Sequence, residues 1–119
     1  MYDHVGLRVK DLQASVRFYS AVLGELGHVL ASQDAAGAGL GPQGAPALWL
    51  AADDAVHTPV HLAFKANSRS AVDAFHRAGL RLRAGDNGAP GLRADYGPSY
   101  YAAFLIDPDG NNVEAVCLK

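Results

Sequence analysis

Apolar and polar residues alternate near the start of the chain in a pattern that predicts a β-strand. Val5, Leu7 and Val9 occupy every second position and would form one apolar face, because strand side chains alternate between two faces. The other face would carry an imidazole, a bare backbone and a guanidinium, which come from His4, Gly6 and Arg8. We interpret this second face as the wall of a binding site.

The same alternation recurs 57 positions later, in the strand predicted for residues 61–66. A histidine leads again, and Leu62, Phe64 and Ala66 supply the apolar face. Three pairs of similar residues stand at this spacing: His4 and His61, Arg8 and Lys65, Phe18 and Phe75. An internal repeat of this kind predicts two similar modules related by a pseudo-twofold axis.

The first module, residues 1–52, is predicted to contain a strand, a helix and three further strands. Apolar residues recur at helical spacing after Asp11, which is a candidate N-cap, and Gly24 or Gly27 would end the helix. Strands are then predicted in three places: residues 28–33, a short strand at best within the glycine-rich stretch 34–44, and residues 47–51.

A connector at residues 53–59 leads to the second module, residues 60–119. Its helix would begin at Ser68 and end at Gly79. Its strands are predicted at residues 61–66, 80–84, 100–106 and 112–118. The stretch 85–98 is predicted to be irregular, and we expect a loop of this length to act as a lid or binding loop. The chain should therefore form one α+β domain, residues 1–119, built from two βαβββ modules.

Composition narrows the class of protein. The chain has 119 residues, of which half are hydrophobic and 18% charged, as expected for one globular domain. A net charge of −2 gives no electrostatic signature of nucleic-acid or membrane-surface binding. No apolar run approaches the roughly 20 residues that span a bilayer. A single cysteine, Cys117, excludes an intrachain disulfide, so we expect a soluble cytoplasmic protein with a buried, chemically silent thiol.

Candidate chemistry appears on the last predicted strand. Alternation there puts Glu114 on the side of the sheet that His4 and His61 should also face. Two imidazoles and one carboxylate form a ligand set that suits Zn, Fe(II), Mn or Ni and leaves coordination positions open. An open position is what metal-assisted catalysis requires. We therefore predict a divalent metal site at His4, His61 and Glu114.

At this point the chain resembles the vicinal oxygen chelate superfamily, which includes glyoxalase I, fosfomycin resistance proteins, extradiol dioxygenases and bleomycin resistance proteins. The resemblance covers nearly the whole chain and rests on four features: Asp3-His4-Val5, residues 12–23 with Phe18-Tyr19, His61 at the start of the second module, and Asp107-Pro108-Asp109-Gly110-Asn111 before Glu114. It implies paired βαβββ modules that form a half-open barrel around a metal. It also implies that His4, His61 and Glu114 are the metal ligands.

One position departs from the pattern of that superfamily. Glyoxalase I has a fourth ligand, a glutamate, on the last strand of its first module, where this chain has Trp49. An indole can neither ligate a metal nor act as a base, so we expect little lactoylglutathione chemistry. Extradiol dioxygenases are usually longer, with four modules, which weakens that assignment as well.

Several further residues are candidates for the site. Tyr100 and Tyr101 should point to opposite faces, so one of them would face the cavity and serve in catalysis. Candidate substrate-binding residues are Arg8, Trp49, Lys65, Arg93 and Tyr96. Each has a simpler structural interpretation: a solvated strand end for Arg8 and Lys65, a core side chain for Trp49, and a solvated loop for Arg93 and Tyr96. His28, His57 and His76 are interpreted as peripheral.

Three functions remain open from the sequence. The leading hypothesis is a metal-dependent enzyme that chelates an oxygenated small molecule, through lyase, isomerase, dioxygenase or transferase chemistry. The alternative is a metal-free protein of the bleomycin resistance type, which would sequester a flat ligand between Trp49 and the tyrosines. The third is a dimerising interaction module. We expect a homodimer. The short connector at residues 53–59 leaves open a site built within one chain or between two, and of these we favour a site that combines His4 of one chain with His61 and Glu114 of the other.

Overall fold

The chain forms two four-stranded sheets and two helices, and the computed structural model describes residues 1–119. The first half contains β1 (Val5–Val9), α1 (Leu12–Gly24), β2 (Val29–Gln33), β3 (Gly37–Gly41) and β4 (Leu48–Ala52). The second half contains β5 (His61–Lys65), α2 (Arg69–Arg81), β6 (Gly85–Leu92), β7 (Tyr101–Ile106) and β8 (Asn112–Cys117). The predicted α+β fold of two βαβββ modules is confirmed.

Both sheets have the same topology. The strand orders are β1-β4-β3-β2 and β5-β8-β7-β6, so the first strand of each module lies beside its last strand. That pair is parallel in each sheet, and the other neighbours are antiparallel. The two sheets are separate and each stays open, which leaves two half-barrels.

The helices begin at the predicted residues. The Asp11 carboxylate accepts a hydrogen bond from the Ala14 amide at 3.0 Å, and the Ser68 hydroxyl accepts one from the Ala71 amide at 3.1 Å. Each cap satisfies an amide that has no partner within the helix. Each helix packs on its own sheet and the two helices pack on each other, so one face of each sheet is left uncovered by helices.

The Asp-Pro-Asp-Gly-Asn turn fastens the second module to the first. The buried Asp107 carboxylate accepts hydrogen bonds from the Tyr19 hydroxyl at 2.5 Å and from the side chain and backbone amides of Asn111 at 2.8 Å. Asp109 accepts one from the Lys10 amide at 2.9 Å. Burial, followed by the charge of Asp107, raises the pKa of Tyr19 far above its ordinary value, so Tyr19 remains a neutral donor.

The prediction for residues 80–98 was wrong. Residues 80 and 81 still belong to α2, which continues past Gly79, and the strand that follows occupies Gly85–Leu92. The irregular stretch is therefore confined to residues 93–100. Glycines and a proline made residues 85–91 resemble a turn, but pairing with β7 extends them, at the cost of two register shifts. Because β6 is an edge strand, it can accommodate both its proline and its register shifts.

Neither α1 nor α2, each of 13 residues, is long and apolar enough to cross a membrane.

Candidate functional site

Three polar side chains meet on the uncovered face of the second sheet. His61 begins β5 and Glu114 lies on the neighbouring β8, with His61 Nε2 3.3 Å from Glu114 Oε1. The Tyr100 hydroxyl, just before β7, donates to Glu114 Oε2 at 2.6 Å. His61 is half exposed, whereas Glu114 is buried beneath the other two side chains. Two of the three predicted metal ligands are thus adjacent.

The hydrogen bonding of His61 fixes which of its nitrogens is free. Nδ1 lies 3.0 Å from the carbonyl oxygen of Asn112, and because a carbonyl only accepts, Nδ1 carries the proton. In the neutral ring Nε2 then presents a lone pair toward the Glu114 carboxylate. Two acceptors at 3.3 Å repel each other unless a proton or a cation lies between them. Imidazoles that bind metals are commonly oriented by this kind of hydrogen bond.

Tyr100 is a hydrogen-bond donor rather than a base. Loss of solvent around the phenol, followed by the hydrogen bond and negative charge of Glu114, raises the pKa of Tyr100 to about 12. The hydroxyl therefore keeps its proton at neutral pH. The Tyr96 ring packs edge-on against Tyr100, with ring centroids 5.3 Å apart, so the loop at residues 93–100 carries both tyrosines to this face.

Phe104 is a site residue that the sequence analysis missed. It pairs with Glu114 across β7 and β8, and its ring stacks beside His61 at a centroid distance of 6.4 Å. The Arg93 guanidinium lies 5.4 Å from the centre of the Phe104 ring and donates to the carbonyls of Ala89 and Gly91. Arg93 is therefore anchored to β6. Two-residue alternation from Tyr100 could have identified Phe104, because both face the same way.

Tyr101 lies on the opposite side of the sheet from Tyr100. Its hydroxyl donates to Asp73 Oδ1 on α2 at 2.6 Å, and the Arg69 guanidinium lies 5.1 Å from its ring centre. The hydrogen bond to Asp73 raises the pKa of Tyr101. Of the two adjacent tyrosines predicted to serve in catalysis, the structure brings Tyr100 alone to Glu114.

The third predicted metal ligand, His4, lies on the first module. Its Nδ1 is 2.7 Å from Asp3 Oδ1, and the side chain is exposed. Within one chain, no group of three or more histidine, cysteine, aspartate or glutamate side chains is placed to hold a metal. One chain brings together His61 and Glu114 but not His4.

The uncovered face of the first sheet has a different character. Trp49 is 39% exposed there, so its indole is not a core side chain. Arg8 on the same face lies 3.5 Å from the Asp53 carboxylate. On the second sheet, Lys65 is exposed at the end of β5. Arg8 and Lys65, two of the three basic residues predicted to bind substrate, are therefore exposed to solvent, whereas Arg93 is not free.

The remaining histidines are distributed over the molecule and do not join the group around Glu114. His76 is buried against Asp86, with Nε2 2.9 Å from Oδ1, and this bond is the leading cause that lowers the pKa of Asp86. His57 lies 3.3 Å from Asp53 in the connector. Cys117 is a buried free thiol.

Comparison with known proteins adds independent information. A family model described as the Glyoxalase/Bleomycin resistance protein/Dioxygenase superfamily matches residues 2–115. A solved glyoxalase/bleomycin resistance protein from Albidiferax ferrireducens T118 is 31% identical, with a TM-score of 0.81 over 96% of this chain and 95% of that chain. A candidate glyoxalase from Bacillus halodurans is 30% identical, with a TM-score of 0.75 over 98% and 95% of the two chains.

More distant structures share the fold alone. The fosfomycin resistance protein FosX from Listeria monocytogenes is 17% identical, with a TM-score of 0.72 over 96% of this chain and 89% of that chain. No curated protein matches the sequence.

Proposed function

This chain belongs to the glyoxalase/bleomycin resistance protein/dioxygenase superfamily, and from that premise we propose that it is a metal-dependent enzyme acting on an oxygenated small molecule. The observation that carries the proposal is the His61–Glu114 pair. His61 Nε2 lies 3.3 Å from Glu114 Oε1 while Nδ1 is held by a backbone carbonyl, an arrangement that a proton or a divalent cation between the two atoms would stabilise.

The donor set fits Zn, Fe(II), Mn or Ni, because all four accept neutral imidazole and carboxylate ligands. Glu114 and His61 would hold the ion, and a Lewis acid at this position would polarise oxygens of a chelating substrate.

Tyr100 has a separate role. Its phenol holds the Glu114 carboxylate in place through the 2.6 Å hydrogen bond and keeps its proton at Oη, so it is suited to donate rather than to abstract a proton.

The third ligand in this proposal is His4 from a second copy of the chain. Each sheet is open. His4, one residue before β1, continues the alternation that puts Gly6 and Arg8 on the uncovered face of the first module, while His61 and Glu114 meet on that of the second. A homodimer that brings the first face of one chain against the second face of its partner would complete the set twice. We further propose that the protein is cytoplasmic.

The reaction proposed here is not lactoylglutathione formation. Trp49 occupies the position at which we aligned the fourth ligand of glyoxalase I, and an indole supplies no carboxylate base. Lyase, isomerase, dioxygenase and transferase chemistry on other oxygenated substrates are all compatible with the His61, Glu114 and Tyr100 group.

The test is the metal content of purified protein measured by mass spectrometry. We expect about one divalent ion per chain, and Glu114→Gln should lose most of it because a neutral amide is a poor ligand. Asp73→Asn is a matched control, since Asp73 also accepts a 2.6 Å hydrogen bond from a tyrosine but lies on the helix side. Unchanged metal in Glu114→Gln, or equal loss in Asp73→Asn, would contradict the assignment.

A second candidate function is metal-free sequestration of a flat small molecule. The exposed Trp49 favours it, because aromatic surfaces bind planar ligands by stacking. The two functions differ in a simple respect. A sequestering protein should bind its ligand equally well after dialysis against a chelator and should release it chemically unchanged.

A further inference from the structure

Trp49 stands in an unusual row of residues across the first sheet. In the register of the strands, Gly6 of β1 pairs with Trp49 of β4, which pairs with Gly39 of β3. Register partners point to the same face, so the indole is flanked by a glycine on each neighbouring strand. It is therefore the one large side chain among these three positions.

Gly39 determines where the indole lies. A Cβ built on Gly39 would stand 2.5 to 2.9 Å from three carbons of the six-membered ring of Trp49, closer than side-chain atoms pack. The indole thus occupies the volume that a side chain at position 39 would need, and it leans over β3. Packing an aromatic ring over a strand glycine holds the ring in a defined position.

Gly6, on the other side of the indole, is open. A Cβ built there would meet no atom within 4 Å, so bare backbone is exposed beside the aromatic ring. Along β1 the alternation places His4 and Arg8 on the same face as Gly6, each about 6.6 Å away along the strand. Gly6 and Arg8 also line a cavity of about 520 Å³ between β1 and the connector, which Trp49 does not line, so space next to Gly6 is open on that side of the strand as well.

We propose that this place binds a planar aromatic ring that carries an anionic group. The ring lies over the backbone of Gly6 against the Trp49 indole, and the anion points along β1 toward Arg8. The glycine supplies room for the ring, the indole supplies a stacking partner, and the guanidinium supplies a charge-assisted hydrogen bond. Asp53 lies 3.5 Å from Arg8, and the ligand anion would compete with it for the guanidinium.

This inference names the substrate class for the face that carries His4, and in that respect it rests on the proposed function. The binding itself needs no metal. It can therefore be tested on protein stripped with a chelator, while metal binding is measured separately on untreated protein. Failure of one measurement does not imply failure of the other.

The experiment uses the fact that Trp49 is the single tryptophan of the chain, so its indole N–H gives one NMR signal. Naphthoate is titrated into metal-free full-length protein, with cyclohexanecarboxylate as an anion of similar charge but no aromatic ring. We expect naphthoate to shift the indole signal saturably and cyclohexanecarboxylate to leave it unmoved. Equal responses to both anions, or none to naphthoate, would overturn the proposal.

Two glycine variants localise the binding. Gly6→Ala adds a methyl group where the ligand ring would lie and should weaken naphthoate binding by about tenfold. Gly24→Ala is the matched control, because a Cβ there also meets no atom within 4 Å but lies at the end of α1. Equal affinities for the two variants would overturn the proposal.

Two further measurements test the anion and the competing occupant. Arg8→Gln should weaken binding of naphthoate several-fold yet leave that of neutral naphthalenemethanol unchanged, and equal weakening of both would contradict the role of Arg8. If the indole signal moves on diluting the protein and does not respond to naphthoate, a second copy of the chain covers Trp49 and the proposal is wrong.

Discussion

The two uncovered sheet faces of this molecule differ sharply although the modules share one topology. The second face carries a connected polar group, in which Glu114 is bonded to Tyr100 and adjacent to His61. The first face carries an exposed indole between two glycines, and His4, just before β1, is hydrogen-bonded to its sequence neighbour Asp3. The second face thus presents bonded polar side chains, whereas the first presents an aromatic ring with open space beside it. A repeated fold can thus divide the parts of a site between its copies.

The largest expected effect comes from recombining the two faces. His4→Ala and Glu114→Ala should each bind little metal, because each lacks a ligand. Refolded together at equal amounts, random pairing makes half of the dimers mixed, and each mixed dimer would hold one intact site of two. Metal per chain should therefore rise to about a quarter of the wild-type value.

Two controls make this recombination decisive. Two batches of the same variant, refolded together, should gain no metal. A wild-type protein that sediments as a monomer with a full complement of metal would rule out a site shared between chains.

The next effect concerns the hydrogen bond between Tyr19 and Asp107, which joins the two modules. Tyr19→Phe removes the buried hydroxyl that donates to Asp107 and leaves a carboxylate oxygen without that donor. We expect the free energy of unfolding to fall by about 1–3 kcal/mol, measured by urea denaturation. Tyr101→Phe removes a tyrosine–aspartate bond of similar length from a less buried position and should cost less. A larger loss in Tyr101→Phe would contradict the greater contribution expected of the buried Tyr19–Asp107 bond.

The smallest effect separates Tyr100 from the metal ligands. Because the folded pKa of Tyr100, about 12, exceeds its ordinary value of 10.0, its contribution to stability is fully present below pH 10 and is lost as the pH rises toward 12. In metal-free Tyr100→Phe, the free energy of unfolding measured by urea denaturation should therefore decrease less between pH 10 and pH 12 than it does in the wild-type protein. An unchanged alkaline slope would mean that another group causes it.

The elements of this fold were predictable wherever the sequence pattern was local. Asp11 and Ser68 were recognisable as helix caps. The family resemblance, which rests on four features including the turn before Glu114, is confirmed by the family model. Residues 85–92 were not predictable, since a strand rich in glycine owes its existence to pairing with β7 rather than to its own propensity.

The site was predictable in its parts but not in its contacts. Alternation placed His61 and Glu114 on one face, and the structure finds them adjacent. It could not choose between Tyr100 and Tyr101, because that choice depends on Asp73, a residue of α2. Alternation from Tyr100 could have put Phe104 on that face, but its place beside His61 and the bond of His61 to the carbonyl of Asn112 arise from cross-strand register, which a single sequence does not specify.

The anchoring of Arg93 has a consequence for how the protein behaves at high concentration. The outer edge of an open sheet can template a strand from another molecule and start aggregation. On β6 that edge includes Pro90, which has no amide hydrogen, and the carbonyls of Ala89 and Gly91 are already bonded to the Arg93 guanidinium. These features disfavour polymerisation of the protein through β6, although its sheets are only half closed.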